Sequence, residues 1–120
     1  MLLVILTHGA LAQAYKEVLG NFIADLSRVE FHAIEEQDNI ETIFVELYEK
    51  YKTIQEEIIF ATDITISSSS NIAYRIAKKL EKSKVVTGIN LMLLIQIIEC
   101  GHINNEIVDL AKNEIKIIKE

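Results

Sequence analysis

The chain has no proline, no tryptophan, one cysteine, four glycines and only 12 Lys and Arg against 18 Asp and Glu, and each shortage closes off a class of protein. Cys100 alone cannot form an internal disulfide, which argues for a reducing compartment, the cytoplasm. A net charge of −6 and a pI near 5.1 are the reverse of the clustered basic face that a phosphate backbone requires, so no nucleic acid is expected as a partner. Lys78, Lys79, Lys82 and Lys84 do cluster, but Glu81 interrupts them and they read as a solvated helix face. Neither a glycine-rich P-loop nor GxGxxG is present, so no nucleotide cofactor is expected. Cys100-Gly101-His102 supplies two metal-type ligands without a second pair, and a helix end followed by a glycine turn accounts for it, so no metal is expected. The longest interior apolar stretch, residues 91–98, is broken by Gln96 and falls far short of the roughly 20 residues of a membrane span. The N-terminal apolar run is too short for a signal peptide and no basic segment precedes it. There is no proline-rich linker and no repeat, so residues 1–120 are expected to form one domain burying roughly two thirds of its unfolded surface.

What is present is an alternation of short β-rich runs with helical patterns. Residues 2–6 form a continuous aliphatic run, as a parallel strand does when both its faces are covered. A helix is expected over residues 10–24, with Leu11, Ala14, Tyr15, Val18, Leu19 and Phe22 at helical spacing. Strand two spans residues 29–34. Asp38 then caps a helix through Lys52, with Glu41 three residues on in capping-box spacing. Strand three covers residues 57–62, a polar loop 65–70, a helix 71–82, strand four 84–87 and another helix 91–99. The tail stays open between a helix capped by Asn104 or Asn105 and a short strand over residues 114–119 carrying Ile115, Ile117 and Ile118. Single helices between strands imply a three-layer, doubly wound α/β domain with a parallel sheet.

In a sheet of order 2-1-3-4, strands one and three are neighbours whose following loops diverge, leaving a crevice at the switch point. His8 and Asp63 both lie at those strand ends and are expected to meet there. A carboxylate that accepts a hydrogen bond from Nδ1 leaves Nε2 as an outward-facing lone pair, the form a nucleophilic imidazole needs. The serine-rich loop opening the next helix offers backbone amides and hydroxyls for an anion, with Ser68 the best candidate and Thr7 and Thr62 as further donors. Gly9 lets the backbone turn away directly after the histidine. His32, in the middle of strand two, reads as a surface or edge side chain.

Three segments in order resemble the enzyme IIA domain of the mannose-type phosphoenolpyruvate-dependent sugar phosphotransferase system. Leu3-Val4-Ile5-Leu6-Thr7-His8-Gly9 is similar to the family's phosphorylated-histidine segment. Phe60-Ala61-Thr62-Asp63-Ile64 is similar to its third strand, and residues 85–94 to its fourth strand and the Gly-Ile-Asn-Leu segment that follows. The resemblance implies a phosphocarrier in which His8 accepts a phosphoryl group on Nε2 from phosphorylated HPr and passes it to an enzyme IIB component. It implies that Asp63 orients the imidazole and that Ser68, with the segment around Thr7 and Gly9, holds the phosphoryl oxygens. It also implies a homodimer with an exchanged C-terminal antiparallel strand, which favours the strand reading of the tail, and contact with the membrane only through IIC and IID components.

One segment departs from the family pattern. Where the family reads Leu-Phe-Gly-Gly-Ser-Pro-x-Asn after its aspartate, Asp63 is followed by Ile64-Thr65-Ile66-Ser67-Ser68-Ser69-Ser70-Asn71. Both glycines and the proline are missing, so the loop is expected to take another path, with more consequence for docking to a IIB partner than for acceptance at His8. Two alternatives stay open: a histidine-phosphorylated regulatory module, and the phosphoryl donor subunit of a dihydroxyacetone kinase system.

Overall fold

The N-terminal apolar run becomes β1 (Leu2–His8), the strand about which the sheet is built. The computed structural model describes residues 1–120. After β1 come α1 (Leu11–Leu19), β2 (Val29–Ile34), α2 (Ile40–Tyr51), β3 (Ile58–Thr62), α3 (Ser68–Ala77), β4 (Ser83–Thr87), α4 (Leu91–Cys100) and α5 (Asn105–Lys112). All strand pairs are parallel and the order is β2-β1-β3-β4, so the chain moves outward to β2 on one side of β1 and to β4 on the other. The expected doubly wound topology is therefore present, with the switch point between β1 and β3.

Side-chain alternation along β1 divides the interior into two cores. Leu2, Val4 and Leu6 pack with Phe44, Leu47 and Tyr51 of α2 and Ile72 and Ile76 of α3. Leu3 and Ile5 face the other way, against Leu19 of α1, Leu94 and Ile97 of α4 and Ile107 of α5. Leu3, Val4, Ile5 and Leu6 are wholly buried, so both faces of β1 are covered and no alternation of polarity survives in its sequence. A truncation there, such as Ile5→Ala, removes transfer energy and leaves a cavity, at a cost of about 2–5 kcal/mol.

Local competition moves several element ends from their expected places. α1 stops at Leu19, where the backbone bonds tighten to three-residue steps, Asn21 to the Val18 carbonyl and Phe22 to the Leu19 carbonyl, both at 3.0 Å, and Phe22 is left exposed. Asn39 caps α2 in place of Asp38: Asn39 Oδ1 accepts the Thr42 amide at 3.1 Å, whereas Asp38 Oδ2 accepts the Glu35 amide at 2.8 Å and closes the preceding turn. With the cap at Asn39, Glu41 falls one position short of the capping-box site, and instead the Arg75 guanidinium binds it at 2.7 and 3.1 Å and ties α2 to α3. α3 begins at Ser68, three residues earlier than its periodicity indicates. The glycine turn after Cys100 is as expected: Gly101 has φ of +75° and donates to the Ile97 carbonyl at 2.8 Å. Asn104 caps α5, and beyond Lys112 the single chain forms no strand; Ile115, Ile117 and Ile118 stand 82, 79 and 90% exposed. No helix is long and apolar enough to cross a membrane.

Candidate active site

β1 delivers His8 to the carboxyl edge of the sheet as its last residue. Its side chain follows Val4 and Leu6 on the face shared with α2 and α3, but past the end of the core it is 51% exposed. Gly9 takes φ of +50°, a conformation costly for residues with a Cβ, and its amide donates to the Ile34 carbonyl at 3.0 Å. That bond fixes the turn against β2. Gly9 thus sets the path of the chain, with its own N–H already spent.

Asp63 follows β3 directly, and its carboxylate is almost covered, with a side-chain exposure of 9%. Oδ2 accepts the His8 amide at 2.9 Å and lies 2.8 Å from His8 Nδ1; Oδ1 accepts the Ile64 amide at 3.0 Å. Burial pushes the carboxyl group up, but the bonds from the His8 ring, the His8 amide and the Ile64 amide outweigh it and hold Asp63 below the ordinary carboxylate range. An ionised carboxylate can only accept, so Nδ1 carries the proton and the neutral ring keeps a lone pair on Nε2. Tyr15 of α1 lies in the same field: burial, and then the Asp63 charge, raise its phenol.

The serine tract is divided between inside and outside. Ser67 caps α3, accepting the Ser70 amide at 3.1 Å, and its own hydroxyl donates to the Ile64 carbonyl at 2.7 Å. Ser70 donates to the same carbonyl at 2.6 Å and lies 2.6 Å from Thr62 Oγ1. Ser69 is fully buried with no partner. Ser68 alone is half-buried with its hydroxyl uncommitted, and the first amides of α3, which open the helix without partners within it, lie beside it. No residue of this loop has positive φ, as suits a segment without glycine.

Two expected donors lie elsewhere. Thr7 points with Leu3 and Ile5 to the face opposite His8 and is wholly buried, its hydroxyl without a partner. Thr62 is also wholly buried and meets Ser70. Neither hydroxyl is presented where His8 is exposed. Reading the sequence alone missed the carbonyl-binding roles of Ser67 and Ser70 and the proximity of Tyr15; a serine three residues before another at a helix start was the only available signal.

Residues 2–114 match the family model EIIA-man, described as the PTS system fructose IIA component. The chain belongs to the mannose-type IIA family of the sugar phosphotransferase system. Among solved structures it resembles the PTS IIA protein associated with the fucose utilization operon of Streptococcus pneumoniae, with TM-score 0.84 and 26% identity over 98% of this chain and 92% of that one. The mannose/sorbose specific IIA subunit from Enterococcus faecalis shares the fold at TM-score 0.81 and 15% identity, covering 99% of this chain and 95% of that one. A sigma-54 interaction domain protein from Enterococcus faecalis does so at TM-score 0.73 and 15% identity, covering 95% and 89%. No curated protein matches the sequence. As a IIA component, the protein has a phosphocarrier role in a sugar phosphotransferase system, and membership of the family implies interaction with HPr and IIB components.

Proposed function

We propose that His8 is the phosphoryl acceptor of this IIA component. The reading rests on one observation: a half-exposed imidazole whose Nδ1 is held at 2.8 Å by a nearly buried carboxylate, so that Nε2 faces solvent as a lone pair. Nε2 attacks the phosphorus of the phosphohistidine on HPr; the new N–P bond forms as the old one breaks, and the freed imidazole of HPr keeps the electron pair. Asp63 balances the positive charge that the His8 ring acquires. The phosphoryl group adds about −1.5 to −2 charges, for which the Ser68 hydroxyl and the first amides of α3 are the available donors. Gly9 contributes the turn that exposes the ring. A IIB nucleophile then attacks the same phosphorus, and the electron pair of the Nε2–P bond returns to His8.

Incubation with phosphoenolpyruvate, Enzyme I and HPr should place one acid-labile phosphoryl group on the protein. His8→Ala should abolish it without loss of stability, since a ring at the sheet edge supports little packing, and Ser68→Ala should slow transfer in a folded protein. No label, or label that survives in His8→Ala, would sink the reading.

The protein acts in the cytoplasm as a homodimer in this reading. A groove of about 710 Å³ runs between α3 and the open edge of β4, lined by Ile66, Tyr74 and Val85 among others. The exposed isoleucines 115, 117 and 118 of a second copy suit it, and an uncovered apolar edge otherwise invites aggregation. Sedimentation should show a dimer that Ile117→Glu converts largely to monomer; a monomeric unsubstituted chain removes the exchange.

A second reading, phosphorylation for regulation, is favoured by the loop that replaces the family's glycines and displays Ile64 and Ile66 at 59 and 92% exposure. Efficient passage from the labelled protein through a IIB component to a sugar would count against it.

A further inference from the structure

We propose that Ser70, together with Ser67, is a positioning residue for the His8 site: the two hydroxyls clamp the Ile64 carbonyl and thereby hold Asp63 on Nδ1 of His8. The proposal rests on the reading of His8 as phosphoryl acceptor and extends it by one layer. Ile64 is held at both ends of its backbone. Its amide donates to Asp63 Oδ1 at 3.0 Å, and its carbonyl accepts Ser67 Oγ at 2.7 Å and Ser70 Oγ at 2.6 Å. With Oδ1 fixed by that amide, the carboxylate can turn only one oxygen, Oδ2, to the ring and amide of His8.

Donor accounting shows how firmly Ser70 is anchored. A hydroxyl has one hydrogen and two lone pairs. The hydrogen of Ser70 goes to Ile64, so Thr62 Oγ1 at 2.6 Å must donate to Ser70, while Thr87 Oγ1 stands farther off at 3.4 Å. Those threonines are register partners at the ends of β3 and β4, so the clamp is fastened to β3 as well as to α3 and lies against the end of β4. Thr62 is wholly buried, so its bond with Ser70 is kept from water, whereas the Ser70–Ile64 bond is part-buried.

The loop needs such a device because it has no glycine and no residue of positive φ. A turn of ordinary residues is held by side-chain hydrogen bonds to its own backbone, as Ser and Asn residues do in loops. Two of the four consecutive serines, Ser67 and Ser70, are therefore committed to the Ile64 carbonyl, and their work is to hold the aspartate rather than the phosphoryl group. A purely structural Ser70 would stabilise α3 against the sheet and leave the protonation pattern of His8 unchanged.

Nitrogen NMR of the full chain at about pH 8.5, some two units above the ordinary histidine value, reports which ring nitrogen of His8 holds the proton, with no phosphoryl donor present. The unsubstituted protein should show the Nδ1–H form alone. Ser70→Ala should show a mixture of tautomers in a folded protein. Its rate of acceptance from phosphorylated HPr should fall about tenfold or more, the usual scale for groups that orient a reacting ligand from the layer behind it, at an unchanged half-saturating HPr concentration. Should Ser70→Ala not fold, Ser67→Gly carries the same test, since glycine replaces a serine cap at a cost of only a few tenths of a kcal/mol. A folded variant that keeps the single tautomer, or accepts phosphoryl groups at the unsubstituted rate, overturns the clamp. An unsubstituted protein that shows Nδ1–H but takes no label from HPr overturns the acceptor reading and leaves the clamp standing.

Discussion

His8 on β1 and His32 on β2 lie on neighbouring strands, and register puts them two residues apart in depth: His32 pairs with Leu6, and His8 with Ile34. Both rings reach a carboxylate. His8 does so directly, through Nδ1 to Asp63, and its ring remains 51% exposed. His32 does so chiefly through a phenol: its Nε2 lies 2.8 Å from Tyr51 Oη, which donates to Glu30 Oε1 at 2.6 Å, against 3.6 Å from Nε2 to that oxygen, and its side chain is 25% exposed. Because the Tyr51 proton is spent on Glu30, Nε2 of His32 must be the donor. The two imidazoles therefore hold opposite tautomers: the outward nitrogen of His8 is free, and the equivalent nitrogen of His32 is engaged. Depth along the strand, and the choice of ring nitrogen by the neighbour, separate the histidine proposed as phosphoryl acceptor from one that completes an edge.

The harshest way to break this contrast is to remove the charge that selects the tautomer. Asp63→Asn keeps the shape but can present an amide hydrogen to Nδ1, which stabilises the ring form with its proton on Nε2. Phosphoryl acceptance should then fall by about a hundredfold or more, given that a wrong tautomer costs catalytic histidines up to about 10⁴. Quench-flow rates from phosphorylated HPr measure it; a rate within threefold of the unsubstituted protein would show that Asp63 does not set the tautomer. The same change removes a carboxylate whose native pKa is depressed. The stability that Asp63 adds is present above its unfolded value of about 3.9 and is lost as the pH falls through the lower folded value. Across neutral pH the carboxylate stays ionised and contributes no pH dependence to transfer.

How much of this was legible follows from the kind of signal each part leaves. β1 could be read because a strand covered on both faces must be aliphatic throughout, and His8 stands out as the first polar ring after it. Its pairing with Asp63 followed from the switch-point topology. The Asn39 cap was not legible, because Asp38 is chemically as good a cap and only the Glu35 turn decides between them. The end of α1 is not legible because Phe22 fits the helical period, whereas the backbone has already tightened into a turn at residues 20–22. Four identical serines carry no pattern to sort them; their roles depend on where the Ile64 carbonyl lies in space. Thr7 was read as a donor from its place beside His8, although adjacent residues of a strand face opposite ways.

The gentlest way to sharpen the contrast titrates His32. Burial, and then the Lys50 charge, lower its pKa against the opposing pull of Glu30, so the folded protein prefers the neutral ring. For a group shifted down, the unfolded chain binds the proton first. The stability that His32 contributes is complete above the unfolded value of about 6.5 and is lost as the pH falls through the folded value, at no more than about 1.4 kcal/mol per pH unit for one proton. His32→Gln keeps an amide donor for Tyr51 and has nothing to titrate. Melting temperatures of the two proteins should therefore converge between pH 7.5 and roughly pH 5.5, the unsubstituted protein losing stability faster, while phosphoryl acceptance by His32→Gln stays at the unsubstituted rate. Parallel melting profiles would mean that the edge network tolerates a charged ring. A loss of acceptance in His32→Gln would mean that the two histidines are coupled through β1 and β2, and the separation by depth would fail.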